Sequence, residues 1–439
     1  MLGDKAIFSE KTGFSGKTGF SRKIRSNRAY LLATAAAVIC VAVSGAQAQD
    51  VRGESVSERD RPEYDPVGLR VGSFFINPSL ALTEAYDDNV RAANTSTVED
   101  FVTTINPHVT VSSNWSRHEL IIEGDLESKI FAEESNENFT NWSGEARGRV
   151  DITQNTDVTG SATFAQLHED RGASNAAAAA NEPTEYSRAD VTLAVNQRFN
   201  RLSVSVGGSF TDLDYDDVAA IGGGLIDNDF RDREIYQGLV RLGYEVSPAT
   251  NVFVQGTYND RDYDQAPPVV GLNRDSSGYE IVVGSQFDLT GVTTGEVFVG
   301  YQEQDYDSAV LPTVDGISYG AEVRWYATSI TTVTAYAAST VEEAVTAGAS
   351  GFLRQTGELA VEHELLRNVI ASGAVVYRNE DYEGIARNDD YIQLNLGADY
   401  LINRNFTVGF DYDFVQRDSS VPGIDFDRNI FGVTLKAQI

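Results

Sequence analysis

The sequence predicts an all-β chain, a transmembrane antiparallel up-and-down β-barrel of about 18 strands with short periplasmic turns and long extracellular loops. Three observations carry that prediction. Segments of roughly ten residues alternate apolar and polar side chains, as a strand does with one face in lipid and the other toward a wet interior. Tight turns alternate with long polar loops along the chain. Aromatic residues recur where the segments end, at the two heights of a membrane's interfaces.

The chain opens on an expected export signal. Arg22, Lys23, Arg25 and Arg28 precede an uncharged run from Leu31 to Val43, and Ala46-Gln47-Ala48 offers the small residues of a cleavage site. That run is about 13 residues, short of the ~20 a helix needs to span a bilayer. Residues 1–48 are therefore read as a cleaved signal peptide. Cys40, the one cysteine, lies inside it, which suits a chain that crosses the periplasm unfolded. Residues 49–68 show no alternation and are dense in charge (Glu58, Arg59, Asp60, Arg61, Glu63), so a flexible periplasmic tail is expected, with a plugging or partner-binding role as the alternative.

From 69 to 439 the barrel is expected. Its first strands are 69–86, 101–114, 118–131, 141–152 and 157–168. On 141–152, Trp142, Gly144, Ala146, Gly148 and Val150 oppose Glu145, Arg147, Arg149 and Asp151. Strands 185–199 and 202–215 meet at Asn200-Arg201; in the second, Leu202, Val204, Val206 and Phe210 alternate with Ser203, Ser205, Gly207 and Ser209. Strands 233–246 and 251–263 flank Ser247-Pro248-Ala249-Thr250, and 276–288 and 293–306 flank Leu289-Thr290-Gly291. Next come 316–326 and 331–343 around Ala327-Thr328, then 352–365 and 369–382 around Leu366-Arg367-Asn368. The series closes with 389–401, 405–418 (where Phe406, Val408, Phe410, Tyr412 and Phe414 alternate with polar residues) and 426–439.

Long loops such as 216–232, 264–275 and 307–315 fall on the side opposite the tight turns. Loop 169–184, with its run Ala176 to Ala180, is by analogy with general porins a candidate constriction folded into the bore, or else a short exposed helix. The strand-end repeats Asp214-Tyr215-Asp216, Asp262-Tyr263-Asp264, Asp305-Tyr306-Asp307 and Asp381-Tyr382-Glu383 are expected to form the outer aromatic girdle. Phe199, Tyr244, Phe287, Tyr326 and Tyr400 are expected to form the inner one.

Without the signal, 27 basic residues face 63 acidic ones, a net charge of −36 over 391 residues. Such a chain is no partner for nucleic acid. No nucleophile elbow, phosphate loop, dinucleotide pattern or zinc-protease motif occurs, and His108, His118, His168 and His363 are scattered, so neither enzyme chemistry nor a cofactor is expected. The acidic pairs Asp87-Asp88, Asp216-Asp217 and Asp389-Asp390 lack the spacing of a calcium loop, and no metal site is expected.

The charged faces are more informative. Glu145, Arg147, Arg149 and Asp151 share a face, as do Arg188, Asp190 and Arg198, Arg241 and Glu245, and Glu322 and Arg324. An arginine toward lipid at midplane costs about 2–4 kcal/mol, so these side chains are expected to line the lumen. A barrel of 16–18 strands leaves a water-filled interior. The expected function is a channel for hydrophilic solutes or ions with a modest preference for cations, its other partner being outer-membrane lipid. A closed, non-conducting barrel braced by arginine–carboxylate ladders is the alternative.

Several stretches resemble a known family. Arg61-Pro62-Glu63-Tyr64-Asp65-Pro66, Gly68-Leu69-Arg70-Val71-Gly72-Ser73-Phe74, Pro78-Ser79-Leu80 and Tyr86-Asp87-Asp88-Asn89-Val90 are similar to the opening region of the outer-membrane β-barrel porin type 2 family, as are Arg387-Asn388-Asp389 and Asp427-Arg428-Asn429. The resemblance implies a porin-like barrel. It also implies, through some relatives, an exit portal for a secreted polysaccharide beside a periplasmic export protein. One departure is the ending Phe431, Val433, Leu435, Ala437, Ile439, which is aliphatic where many such barrels finish on an aromatic residue.

Overall fold

The computed structural model describes residues 54–264 and 273–439. The expected signal peptide, residues 1–48, lies outside the described residues. Eighteen long strands follow one another in antiparallel pairs: β1 Phe74–Asp87, β2 Asp100–Ser113, β3 Glu119–Phe131, β4 Phe139–Asp151, β5 Thr156–His168 and β6 Glu185–Phe199. They continue as β7 Leu202–Tyr215, β8 Arg233–Ser247, β9 Thr250–Tyr263, β10 Ser276–Leu289, β11 Thr293–Tyr306 and β12 Val314–Thr328. The last six are β13 Thr331–Glu343, β14 Gly351–Leu366, β15 Val369–Tyr382, β16 Asn388–Leu401, β17 Phe406–Ser419 and β18 Phe426–Gln438. Strand β1 pairs with β18 from Ser79↔Gln438 to Asp87↔Ile430, which closes the barrel and removes its free edges.

Alternation fixes which way each strand faces. On β8, Tyr236, Val240, Leu242, Tyr244 and Val246 are exposed on the outside, while Leu239 and Arg241 between them, and Arg233 before them, are buried inside. A one-residue slip would exchange the two faces, so the lipid-facing band pins the register. At the tight-turn end, Asn200 (φ 57°) and Thr290 with Gly291 (φ 61° and 69°) adopt the left-handed conformation that short hairpins demand. Register shifts after Glu245, Trp325 and Glu364 sit at the same end, where strands bend into their turns.

One strand departs from expectation. The stretch 69–86 is broken at Gly72 (φ 60°), so Leu69–Val71 folds back on Phe74–Ile76 as a small hairpin before the wall begins. A left-handed glycine turns the chain where alternation alone predicts continuity.

The outer girdle is also built differently. Tyr215, Tyr306 and Tyr382 are buried inside the barrel, and Tyr263 is half-buried. The ring facing outward at that height comes instead from residues such as Phe101, Trp142, Tyr236, Tyr258 and Tyr377. At the other end Phe199, Tyr244 and Tyr400 do face outward, and Trp325 takes the place expected of Tyr326.

The hairpin of β13 and β14 leaves the wall. Pairing of β12 with β13 stops at Gly320↔Ala338, whereas β13 and β14 stay paired to Glu343↔Gly351. Beyond Ala338 the hairpin leans into the bore. Gln302 Nε2 donates to Ser339 Oγ at 2.9 Å, and Val341 packs with Tyr306, Leu311 and Val314.

Candidate functional site

The bore has three levels, each built from a different source of side chains. The middle level is the inner face of the strands. Arg147 reaches Glu123 (2.7 Å) and Glu145 (3.1 Å); Arg149 reaches Asp151 (2.8 Å). Arg188 grips Asp190 with Nε and Nη2 at 2.7 and 2.9 Å, and Arg324 lies 2.9 Å from Glu322. These groups are half-buried, as expected of wall residues beside water, and each pairs within its own strand or with a near neighbour.

Two of the residues read from the sequence share a face without bonding to one another. Arg241 pairs with Glu296 on β11, through Nη1–Oε1 at 3.2 Å and Nη2–Oε2 at 2.7 Å, and its guanidinium lies 3.4 Å from the centre of the Phe253 ring. Glu245 pairs with Arg198. Residues on facing sides of a curved wall approach each other, and the spacing along one strand does not reveal it.

Also on the inner face, Thr110 Oγ1, His108 and Asp125 form a line, with His108 Nε2 3.0 Å from the hydroxyl and Nδ1 3.1 Å from the carboxylate. Thr110 is 3 % exposed. A solute cannot reach that hydroxyl, so the line braces the β2–β3 wall and presents no nucleophile.

At the tight-turn end, residues 54–66 fold against the inner wall. The part of the tail from Glu54 onward, expected from its composition to be flexible, makes fixed contacts here. Val56 N donates to Thr332 Oγ1 (3.1 Å) and Ser57 Oγ to Glu362 (3.0 Å). Arg61, 1 % exposed, bonds Glu364 and the Val56 carbonyl, both at 2.8 Å. Glu58 approaches Arg324 at 3.6 Å, and Arg404 Nε donates to the Pro62 carbonyl at 2.8 Å. The segment thus runs from beneath β12–β14 to the β16–β17 turn.

The long-loop end is the most tightly packed level. Loop 169–184 crosses the mouth from β5 and β6 to the opposite wall. It has no helix at Ala176–Ala180; Ala180 bridges to Ala220 instead. Glu169 pairs with Arg231, and Arg171 grips Glu137 at 2.8 and 2.7 Å. Asp170 lies 3.4 Å from Arg428, where that cation and neighbouring backbone hold its carboxyl below the usual range against the opposing effect of burial. Beyond, Arg387 donates to the Ser174 carbonyl at 3.4 Å, and Asn175 bonds the Glu343 carbonyl and the Val345 amide at 2.9 and 3.2 Å.

Arginines and aromatic rings complete this layer. Arg231 stacks on Tyr215 (3.9 Å), Arg378 on Tyr391 (3.9 Å) and Arg387 on Tyr382 (4.3 Å). The acidic members are fully enclosed, Glu380 and Asp389 at 0 % exposure, and each has its own arginine: Arg354 and Arg378 for Glu380, Arg387 for Asp389. In an open bore such wall groups would be wet. Here the loop and the leaning hairpin narrow it. Sequence reasoning missed this layer, although it left a mark: arginine recurs beside the strand ends at Arg231, Arg233, Arg261, Arg274, Arg387, Arg417 and Arg428.

Among the described residues, Asp217, Asp227 and Asp229 have carboxylate oxygens within 4.8 Å of one another on the exposed loop. Two of them already accept backbone hydrogen bonds, from Asn228 N at 2.8 Å and Asp229 N at 3.2 Å.

A sequence model for the family described as "Putative beta-barrel porin 2" matches residues 61–439. No curated protein matches the chain. Among solved structures it is similar to OpdO of Pseudomonas aeruginosa at 12 % identity, over 84 % of this chain and 98 % of that one, with a TM-score of 0.43. The siderophore receptor PirA of Pseudomonas aeruginosa is similar at 9 % identity, over 86 % and 81 %, with a TM-score of 0.44. The outer membrane protein OpdK of Pseudomonas aeruginosa is similar at 11 % identity, over 83 % and 99 %, with a TM-score of 0.41.

Proposed function

The chain belongs to the beta-barrel porin 2 family, a porin-like barrel of the outer membrane, and from that premise we propose that it is a channel for small hydrophilic solutes with a transport role and no catalytic one. The observation that carries this reading is the contrast between levels of the bore. Midway, paired charges line a wall that is half-open to water; at the long-loop end, arginines and tyrosines converge into a narrow, ordered layer. A wet chamber behind a charged constriction admits solutes by size and charge. Planar-bilayer recording of the purified barrel tests it: discrete conductance steps are the expected result, and silence at every voltage refutes it.

A second reading has its own support. Loop 169–184 crosses the mouth and encloses Glu380 and Asp389 completely, which suits a barrel that does not conduct. Silent bilayers from correctly folded protein would favour it. The segment 54–66 adds a second restriction at the opposite end. On the channel reading it is a resident plug, and the export signal preceding it delivers the chain to the periplasm.

A further inference from the structure

Around Arg231 and Arg233 the charges do not balance. Four guanidiniums gather there, from Arg231, Arg233, Arg261 and Arg274, against two carboxylates. Glu169 belongs to Arg231 and Glu343 to Arg261. No carboxylate among the described residues comes within ion-pair distance of the other two. Arg233, 5 % exposed, donates Nη1 to the Arg231 carbonyl at 2.7 Å, and its Nε has no partner among the described residues. Among the described residues Arg274, 6 % exposed, has one hydrogen bond, to the Thr346 carbonyl at 3.5 Å. Residues 265–272 carry no acidic side chain, so that stretch supplies no counter-charge.

Both side chains line one crevice, beside Asn175 and the rings of Tyr215, Phe230 and Tyr263. It holds about 280 Å³ of space, counted out to its open mouth, and Glu343, the partner of Arg261, forms part of its wall. Enclosed guanidiniums that outnumber their counter-ions are unfavourable; Glu343, already bound to Arg261, attracts Arg233 from beyond ion-pair distance, and the tyrosine faces 5.5 and 6.0 Å from Arg233 compensate only in part.

We propose that this crevice is an anion site, in which Arg233 and Arg274 receive the carboxylate of a small solute at the outer mouth of the channel. The inference rests on the channel reading for its purpose, because it names the class of solute the constriction selects. A carboxylate is flat and matches the guanidinium fork, and its single charge meets less repulsion from Glu343 in the same wall than the larger charge of a phosphate does. The rings beside it accommodate a planar body behind the charged end. The preference at this layer is therefore for anions, opposite to that expected from the chain's acidic excess, most of which lies on exposed loops and wall faces elsewhere.

Calorimetry on the full-length barrel in detergent, with benzoate, benzamide and inorganic phosphate as probes, tests the proposal. Saturable benzoate binding is expected, with none for the uncharged benzamide. Affinity should fall about tenfold or more in R233Q/R274Q, and fall less in R233K/R274K, which keeps the charges but loses the fork. Heat-modifiable gel mobility establishes that the variants fold, and the benzoate–benzamide contrast in the parent protein decides the matter without them. Absent benzoate binding, equal binding of benzamide, phosphate binding in place of benzoate, or undiminished affinity in a folded R233Q/R274Q protein overturns the proposal. Bilayer recording on the same sample separates the two readings. Conductance without benzoate binding removes the site and leaves the channel; benzoate binding by a silent barrel leaves the site and removes the channel.

Discussion

Arg428 lies against Asp87 across the seam of the barrel, with Nε 2.9 Å from both carboxylate oxygens, so that the last strand is locked to the first by a buried ion pair. Asn429 repeats the link one residue on, its amide and side chain each 2.7 Å from Asp88. Ladder bonds close the rest of the seam, but these contacts fix its outer end. Removing Arg428 leaves Asp87 and Asp170 without their shared cation, a loss of about 3–5 kcal/mol, whereas removing Asp87 leaves Arg428 its longer contact to Asp170. R428A and D87A should each lower the denaturant midpoint of the refolded barrel in lipid vesicles, R428A the more, and the double substitution D87L/R428M should lower it less than R428A. Unchanged midpoints for the single substitutions would mean that the pair contributes nothing to closure.

The segment 54–66 holds the tight-turn end through Arg61 and Glu364. An in-frame deletion of 54–66 is expected to raise single-channel conductance several-fold, and E364Q to increase the frequency of open events without changing the fully open level. Identical traces from all three proteins would show that the segment lies outside the conducting path.

Burial raises the Asp232 carboxyl to about 6, with Asp214, Asp229 and Asp264 adding repulsion and the Tyr215 amide opposing both. The unfolded value is about 3.9. The folded loop therefore holds its proton more tightly than the unfolded chain does. Its contribution to stability is complete below about pH 4 and is lost as pH rises through about 6. Protease cleavage of the loop preceding β8 should accelerate between those values in the parent protein, and D232N should flatten the profile. A loop that becomes more resistant as pH rises would contradict the assignment.

Val240 sits at the middle of β8 and is 47 % exposed on the outer face. V240R should cost about 2–4 kcal/mol in folding into vesicles if that face meets the hydrocarbon core. Folding titrations of the parent and V240R proteins supply the comparison, and equal stability would remove the lipid assignment of the whole face.

The strands were legible because alternation is a local property repeated over about ten residues, enough to bound β6, β7 and β11 to the residue. The break at Gly72 was not, since a single left-handed glycine leaves the apolar pattern intact on both sides. Tyr215, Tyr306 and Tyr382 were read as facing lipid from their recurrence, yet their strand parity places them inside. Parity at strand ends depends on where a strand leaves the wall, which is a property of the closed barrel. The ion pair between Arg241 and Glu296 shows the same limit on the inner face: it joins β8 to β11, and a reading confined to one strand pairs Arg241 with Glu245. The crossing of loop 169–184 was anticipated by analogy, but its anchors on Glu137, Arg428 and Glu343 come from distant parts of the sequence.

Because the outer layer assembles oppositely charged side chains from many separate segments, its residues are not free to drift one at a time. Replacing Asp389 alone strands Arg387, and replacing Glu169 alone strands Arg231. Among descendants of this chain, changes in the layer should arrive as compensated couples inherited together, and a shift in what the barrel discriminates should come more readily at Arg233 and Arg274, which have no acidic companion among the described residues to carry along.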